Sequence, residues 1–443
     1  MTIQAVPNVQ QLLEKWAPVL NADDVAPITD RVRRETTAVL LENTEQDIFK
    51  KQAMLNEAAP INTTNGYSNG AGGDGLAKYD PVLISMVRRA APQMIAYDIC
   101  GVQPLRQPTG LIFALRSKYA TMNGTEALFN EADTKFSGAA SPAHAGTDPT
   151  ADFVDQDSGT AGNQFGTFTT GTTMTTQFGE TLGGGVNAFS EMSMSIESMT
   201  VTAGSRALRA GYSVEFAQDL QNLHGLNADA ELSNILSTEM LSEVNREVLR
   251  TMYSIAKVGA QDATTAGVFD LTTDSDGRWL AERHKGLLFQ IEREANAIAQ
   301  QTRLGKGNFI VCSSDVASAL ALTGLLDYAP ALSAGTSMNV DDSSVTFAGI
   351  LNKRFKVYID PYAGAAGTQS QFFMVGHKGQ SPWQAGLFYC PYVPLDVVKT
   401  TDPTTMTPVM AYRMRYGIAK HPFWNQAGRT NSFYRIARVR NLI

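Results

Sequence analysis

The sequence has little cysteine, histidine or charge. Its three cysteines, Cys100, Cys312 and Cys390, are scattered over 443 residues. The odd number and wide spacing argue against a disulfide framework and for a reducing compartment. The five histidines, His144, His224, His284, His377 and His421, stand alone. None belongs to an HExxH pair or a Cys/His set, so no zinc ligand set is visible. Asp, Glu, Lys and Arg make up only 18% of the chain, with a net charge of -7 and a pI near 5.4. An acidic chain is not expected to hold nucleic acid through general charge. No apolar run reaches the roughly 18 residues that a membrane span needs. The first residues, MTIQAVPNVQQ, lack the basic and apolar regions of a secretory signal. The expectation is a chain made in the cytosol.

Catalytic motifs are missing as well. Asp274, Asp276 and Gly277 resemble the middle of a calcium loop, but Arg283 falls where a bidentate Glu is required. Asp152, Asp155 and Asp157 cluster more densely, yet Asn163 and Gly166 occupy the closing position, so a solvated loop is expected. Gly305 and Lys306 precede a strand, whereas a phosphate loop follows one and opens a helix. Gly183, Gly184 and Gly185 lack a βαβ setting, and there is no GxSxG elbow. Neither an enzyme nor a cofactor is expected.

What the chain does have is one long helical signal. In residues 227–257, Leu232, Ile235, Leu236, Met240, Leu241, Val244, Val248, Leu249, Met252, Ile255 and Ala256 recur at steps of three and four. Asn227 is placed to cap the start, and Lys257 with Gly259 to end it. Thirty residues at about 1.5 Å each make a rod of about 45 Å. Without sustained heptads, such a rod reads as the spine of a flat domain.

Around it, residues 1–57 read as a separate helical piece with helices over 9–20 and 32–55. Its nine acidic and six basic residues leave it net negative, and its apolar face is thin. Residues 58–75 are rich in Gly, Asn, Ala and Thr and read as a linker or arm. Residues 81–96 read as a short apolar helix interrupted by Pro92, followed by turn residues, and 109–119 as a strand. The Gly/Thr-rich stretch from 120 to 191 is too poor in large apolar residues for a core and reads as an extended hairpin, returning along 191–202. Helices are expected over 206–225, 279–301 and 315–325, a loop over 259–277, and strands over 308–313, 355–359 and 372–375. Alternation of these elements implies a mixed domain from about 280 to 400. Two basic, aromatic strands close the chain, with Tyr412, Arg413, Arg415, Tyr416, Tyr434, Arg435, Arg438 and Arg440. In an acidic protein these residues are expected to make structural or subunit contacts rather than to bind nucleic acid.

Several long stretches, taken in order, resemble a known family. They are MVRRAAPQMIAYDICGVQPLRQPTGLIFALRSKY (86–119), YSVEFAQDLQNLHGLNADAELSNILSTEMLSEVNREV (212–248), KGLLFQIEREANAIAQQTRLGKGNFIVCS (285–313), GLFYCPYVPL (386–395) and PVMAYRMRYGIAKHPF (408–423). Each is similar to the major capsid proteins of T-even-type tailed phages. The resemblance implies an α+β, HK97-type shell fold. Residues 1–57 would be a scaffold-interacting propeptide and 58–80 the N-arm. The P-domain would start at 81–106, the E-loop hairpin would fill 107–205, and 206–284 would hold the P-domain's spine helix. The A-domain would cover 285–400, and 401–443 would return to the P-domain. Larger relatives carry an insertion domain beside the E-loop, for which the stretch here is too short and too poor in apolar residues.

The resemblance further implies hexameric capsomers in an icosahedral or elongated head. That head would enclose DNA without sequence-specific binding, with the protein in the virion after assembly in the host cytoplasm. Partners would be a vertex capsid protein, scaffold, portal, prohead protease and decoration proteins, with no membrane involved. The alternatives are the pentameric vertex protein of the same fold and, from another class, an α/β enzyme. Family precursors are cut after a Glu two residues beyond Leu or Ile. Leu55-Asn56-Glu57 before Ala58 fits at the change of composition; Leu12-Leu13-Glu14 and Leu40-Leu41-Glu42 also fit.

Overall fold

The computed structural model describes residues 9–21, 28, 30–57, 94–129, 131–138, 144, 169–183, 188–225, 227–275, 277, 279–324, 326–327, 346–362, 371–402, 404, 407–422 and 428–442. Contacts divide the chain into two compact units, Met1–Leu111 with Thr200–Ile443, and Ile112–Met199.

In the first unit, helix α1 (Val9–Leu20) packs on helix α2 (Arg31–Glu57). The helix expected over 81–96 falls largely outside the described residues. Where turn residues were expected, a short helix α3 (Ala96–Ile99) runs straight into strand β1 (Gly101–Val102). Strand β2 (Thr109–Tyr119) has the expected bounds, and β3 (Met192–Thr202) starts one residue late. A short helix, α4 (Thr176–Glu180), lies between them in sequence.

The helix expected over 206–225 is wrong in its first half. Residues Gly204–Gly211 form strand β4, and helix α5 (Val214–His224) begins only after Ser213, whose side chain accepts from the N–H of Phe216 at 3.2 Å. The run GSRALRAG alternates, and its backbone pairs along strand β13 (Pro408–Lys420), from Val409↔Gly211 to Tyr416↔Gly204. Pairing outweighs the helix propensity of Ala, Leu and Arg.

The spine helix α6 (Ala228–Ile255) starts as expected, with the Asn227 side chain accepting from Asp229 N–H at 3.0 Å. Its end is different. Lys257 lies in strand β5 (Ala256–Val258), paired in parallel with strand β14 (Asn431–Arg440), and Gly259 N–H donates to Ile436 O at 2.7 Å. The last helical carbonyls give way to a sheet partner distant in sequence. The loop expected over 259–277 likewise contains β6 (Val268–Asp270), also on β14.

Next come helix α7 (Leu280–Thr302), strand β7 (Phe309–Cys312), helix α8 (Ser314–Leu322) and strands β8 (Leu326–Asp327), β9 (Thr346–Leu351), β10 (Phe355–Ile359), β11 (Gln371–Gly376) and β12 (Leu387–Thr401). β9 and β12 were not expected. Two sheets result in this unit. One has the order β1-β12-β13-β4; the other has the order β5-β14-β11-β7-β10-β9-β8, with β6 added on β14. The mixed domain expected over 280–400 is therefore completed by β14, which enters its sheet beside β11.

Period-two alternation divides the larger sheet between two cores. Phe309, Val311, Tyr358 and Met374 face a core shared with α6. Ile310, Cys312, Val357, Phe373 and Val375 face a second core with Leu287, Ile291, Ala295 and Ile298 of α7 and Val316 and Leu320 of α8. The smaller sheet contributes Tyr389, Leu395, Met410, Tyr412, Met414 and Tyr416 to the α6 core. One helix thus serves both sheets, which the spine reading did not foresee, and the class is α+β.

The second unit is built on the β2–β3 ribbon. Tyr119 rests on Phe136 with ring centroids 4.5 Å apart, and Thr134 Oγ1 accepts from Gly171 N–H at 2.8 Å.

Candidate assembly surfaces

The spine helix is bonded to both sheets by polar groups, half-exposed toward the smaller sheet and more deeply buried toward the larger. Toward the smaller sheet, Arg206 of β4 reaches Glu243 at 2.9 Å and Glu247 at 2.6 Å. Tyr416 of β13 donates to Glu247, and Ser233 bonds Tyr412 at 2.5 Å. Toward the larger sheet, Asp360, fully buried just after β10, receives Arg246 at 2.6 and 2.7 Å and the Tyr253 hydroxyl at 2.8 Å. Burial, followed by the Asp360 carboxylate, holds the Tyr253 phenol far above its ordinary range. A buried carboxylate survives only with such donors, and its cage fixes the rod's rotation against the sheet. Asn245, also fully buried, accepts from Ile95 N–H at 3.1 Å. No periodicity argument singles out Asn245 or Asp360, because a polar residue on an apolar face reads as noise until its partners are known.

The ribbon carries the opposite arrangement. Ala120 N–H bonds Glu191 O at 2.9 Å and Ala203 N–H bonds Pro108 O at 2.8 Å. Both bonds fix one antiparallel register, which sets Leu115 across from Ile196 and Phe113 across from Ser198. Leu111, Phe113, Leu115, Met192, Met194 and Ile196 share one face, and all are exposed, Phe113 by 65% and Ile196 by 68%. On the other face Arg116 pairs with Glu197 at 3.1 Å, and the Ser193 and Ser195 hydroxyls are buried. The apolar side is the one turned to solvent. A second exposed apolar set lies on α5, which buries no residue and shows Val214, Phe216 and Leu223.

The residues considered for chemistry are dispersed. Among the described residues no group of three His, Cys, Asp or Glu could hold a metal. His377 bonds Lys306 O through Nδ1 at 2.7 Å, and His421 stacks on Phe388 and meets the Phe433 ring at a tilt. His144 meets Thr134 at 3.1 Å, His284 is buried, and His224 ends α5. The three thiols are buried, which pushes each up to about 12. Burial tends to raise the Asp274 carboxyl, but hydrogen bonds from Asp270 N–H and Thr264 hold it below its ordinary value; it ties a loop together. Asp152, Asp155 and Asp157 lie outside the described residues. In the closing strands Tyr412, Tyr416, Tyr434 and Arg435 are buried; Arg435 pairs with Glu294 at 2.7 Å and Arg413 with Asp396 at 3.4 Å. These are the structural contacts expected of them. Of the expected cleavage residues, Leu55, Asn56 and Glu57 form the last turn of α2, and Ala58 lies outside the described residues.

A frame stitched by ion pairs between spine and sheets, with apolar faces turned outward, defines a structural protein that works by contact. Comparison with known proteins says which kind. A family model described as "Major capsid protein Gp23" matches residues 76–439. The major capsid protein of Serratia phage KSP90 is 38% identical over 423 residues, covering 94% of this chain and 90% of that protein. That of Enterobacteria phage T4 is 35% identical over 493 residues, covering 94% and 92%. The T4 capsid vertex protein is 26% identical over 236 residues, covering 49% and 50%. Among solved structures, the capsid of Myoviridae phage XM1 matches with a TM-score of 0.40 at 10% identity over 78% of this chain and 92% of that one. The chain belongs to the Gp23 major capsid protein family. As a member it is a structural protein of the phage head shell and not an enzyme. Among the described residues no helix is long and apolar enough to cross a membrane.

Proposed function

We propose that the chain tiles the head as hexameric capsomers, leaving fivefold vertices to a related vertex protein. The observation that carries contact-driven assembly is the exposed apolar face of the β2–β3 ribbon. Six large apolar side chains on one face gain most when covered, at roughly 25 cal/mol per Å². Their cover is a neighbouring copy. Likeness to major capsid proteins along nearly the whole chain, against half its length for a vertex protein, favours the hexamer.

In this reading residues 58–80 are the N-arm, 81–106 and 206–284 the P-domain, 107–205 the E-loop, 285–400 the A-domain, and 401–443 the returning strands. Residues 1–57 are a scaffold-interacting propeptide, cut after Glu57 by a prohead protease. The end of α2 supports this site, since the last turn of a helix leaves its carbonyls unpaired and frays into the extended form a protease takes. Portal and decoration proteins complete the head. DNA is enclosed without base readout, in keeping with arginines already paired inside the fold.

Electron microscopy of particles, with N-terminal sequencing of their chains, tests this. Hexamers of a chain beginning at Ala58 are expected. Density for this chain only at vertices would refute the hexamer, and particle chains beginning at Met1 would refute the cut.

A further inference from the structure

The helical hairpin α1–α2 has a core of its own. Leu12, Trp16 and Leu20 pack against Ala38, Val39 and Leu41, and among the described residues none of the hairpin joins the core around the spine. Lys15 binds Glu42 at 2.8 Å and also Glu45, and Trp16 Nε1 donates to Glu42 at 3.2 Å. Thr36, Thr37 and Thr44 are buried, with their hydroxyls returned to Val32 O, Arg33 O and Leu40 O at 2.7 to 2.8 Å. Bonded in this way, they ask nothing of the surface they meet.

Leu40, on the α2 face that carries Thr36, Asn43 and Thr44, is buried outside the hairpin's own core, and the bonded ties around it to the rest of the unit are polar. Arg33 pairs with Asp98 at 2.5 Å and lies over the Tyr97 ring at 5.9 Å. The Asn43 amide donates to two main-chain carbonyls at once, Leu105 O at 2.7 Å and Tyr392 O at 2.9 Å. These two carbonyls sit where the segment after β1 runs along β12, with Gln103 N–H on Tyr389 O and Leu105 N–H on Pro391 O. Contacts that must separate are more polar than permanent ones.

We propose that α1–α2 is a detachable clip, folded around its own core and held on the β1–β12 edge by the Arg33 and Asn43 latch, so that it departs as one piece. Cutting after Glu57 would release it, a step that rests on the cleavage reading above. Departure turns the Asp98 carboxylate and the carbonyls of Leu105 and Tyr392 over to solvent. The precursor and the trimmed subunit then differ at this edge while their cores stay the same.

Hydrogen exchange on the full-length chain tests the clip. In an Arg33→Ala, Asn43→Ala variant, the amides of Gln103 and Leu105 are expected to exchange at least roughly tenfold faster than in the parent. Those of α1 and the first half of α2 should stay within about threefold, since their shared core is untouched. Unchanged rates at Gln103 and Leu105 would overturn the latch. Helical amides of the hairpin accelerating in step would overturn its independence. In Trp16→Ala, which empties the hairpin core, helical and edge amides should accelerate together; a protected edge in that variant would overturn the proposal. Particle chains that begin at Met1 would remove the cut and leave the exchange result standing. Unchanged exchange would remove the clip and leave the cut.

Discussion

Strands β13 and β3 carry the same kind of pattern and put it to opposite use. In β13, Met410, Tyr412, Met414 and Tyr416 alternate with more exposed residues and are buried against the spine. In β3, Met192, Met194 and Ile196 alternate with Ser193, Ser195 and Glu197, and the apolar residues are the exposed ones. Alternation tells that a strand has an apolar face. It does not tell whether the cover comes from the same chain or from another. In the assembly proposed above, β13 belongs to the part that folds and β3 to the part that joins.

Variants can sharpen that contrast, and the largest effect on the subunit is expected at the spine. Val244 is fully buried in the middle of α6, and Val244→Pro should cost about 3 kcal/mol or more, because a main-chain hydrogen bond is lost and the ring clashes with the turn above. Both sheets lean on this helix, so urea unfolding should show the loss and microscopy should show no shells. Next is Asp360→Ala, which strands Arg246 and the Tyr253 hydroxyl; breaking a buried pair in this way costs about 3 kcal/mol. A lower urea midpoint with an unchanged slope is the expected reading.

A smaller effect is expected from His377. Burial lowers its pKa, more than its bond to Lys306 O raises it. Its folded value lies below its unfolded value, so the unfolded chain binds more protons between the two. The stability this group contributes is therefore present above the ordinary histidine value and is lost as pH falls through that value toward the folded one. His377→Gln should flatten this part of a stability-against-pH profile.

The smallest effect on folding should come from the ribbon. Phe113→Glu with Ile196→Glu should change subunit stability by no more than about 0.5 kcal/mol, as exposed substitutions do. The same pair should abolish shells under the microscope. Stability falling with assembly would mean that the ribbon face is covered within its own chain, and the contrast with β13 would collapse.

How far the sequence could be read follows from which interactions are local. The spine and its Asn227 cap were legible because steps of three and four and an Asn beside them are local facts. So were β2, β3, α7, β7 and β10. The first half of 206–225 was misread because Ala, Leu and Arg favour a helix until a partner strand claims their backbone. The end of the spine was misread for the same reason, with β14 as the claimant. β12 was missed because Pro391 and Pro394 sit in it, and proline ordinarily argues against a paired strand. In the ribbon the two strands were legible, but not the side their apolar residues would face.

By itself, then, the sequence determined the long spine, the alternating strands and, through its resemblance, the family. Each rests on the order of residues along the chain. The tertiary structure alone decided that one helix would serve two sheets, that Asp360 would be caged by Arg246 and Tyr253, and that the ribbon would turn its apolar face outward. Those outcomes depend on groups far apart along the chain, or on surface left uncovered after every nearer contact is made, and no local pattern records either.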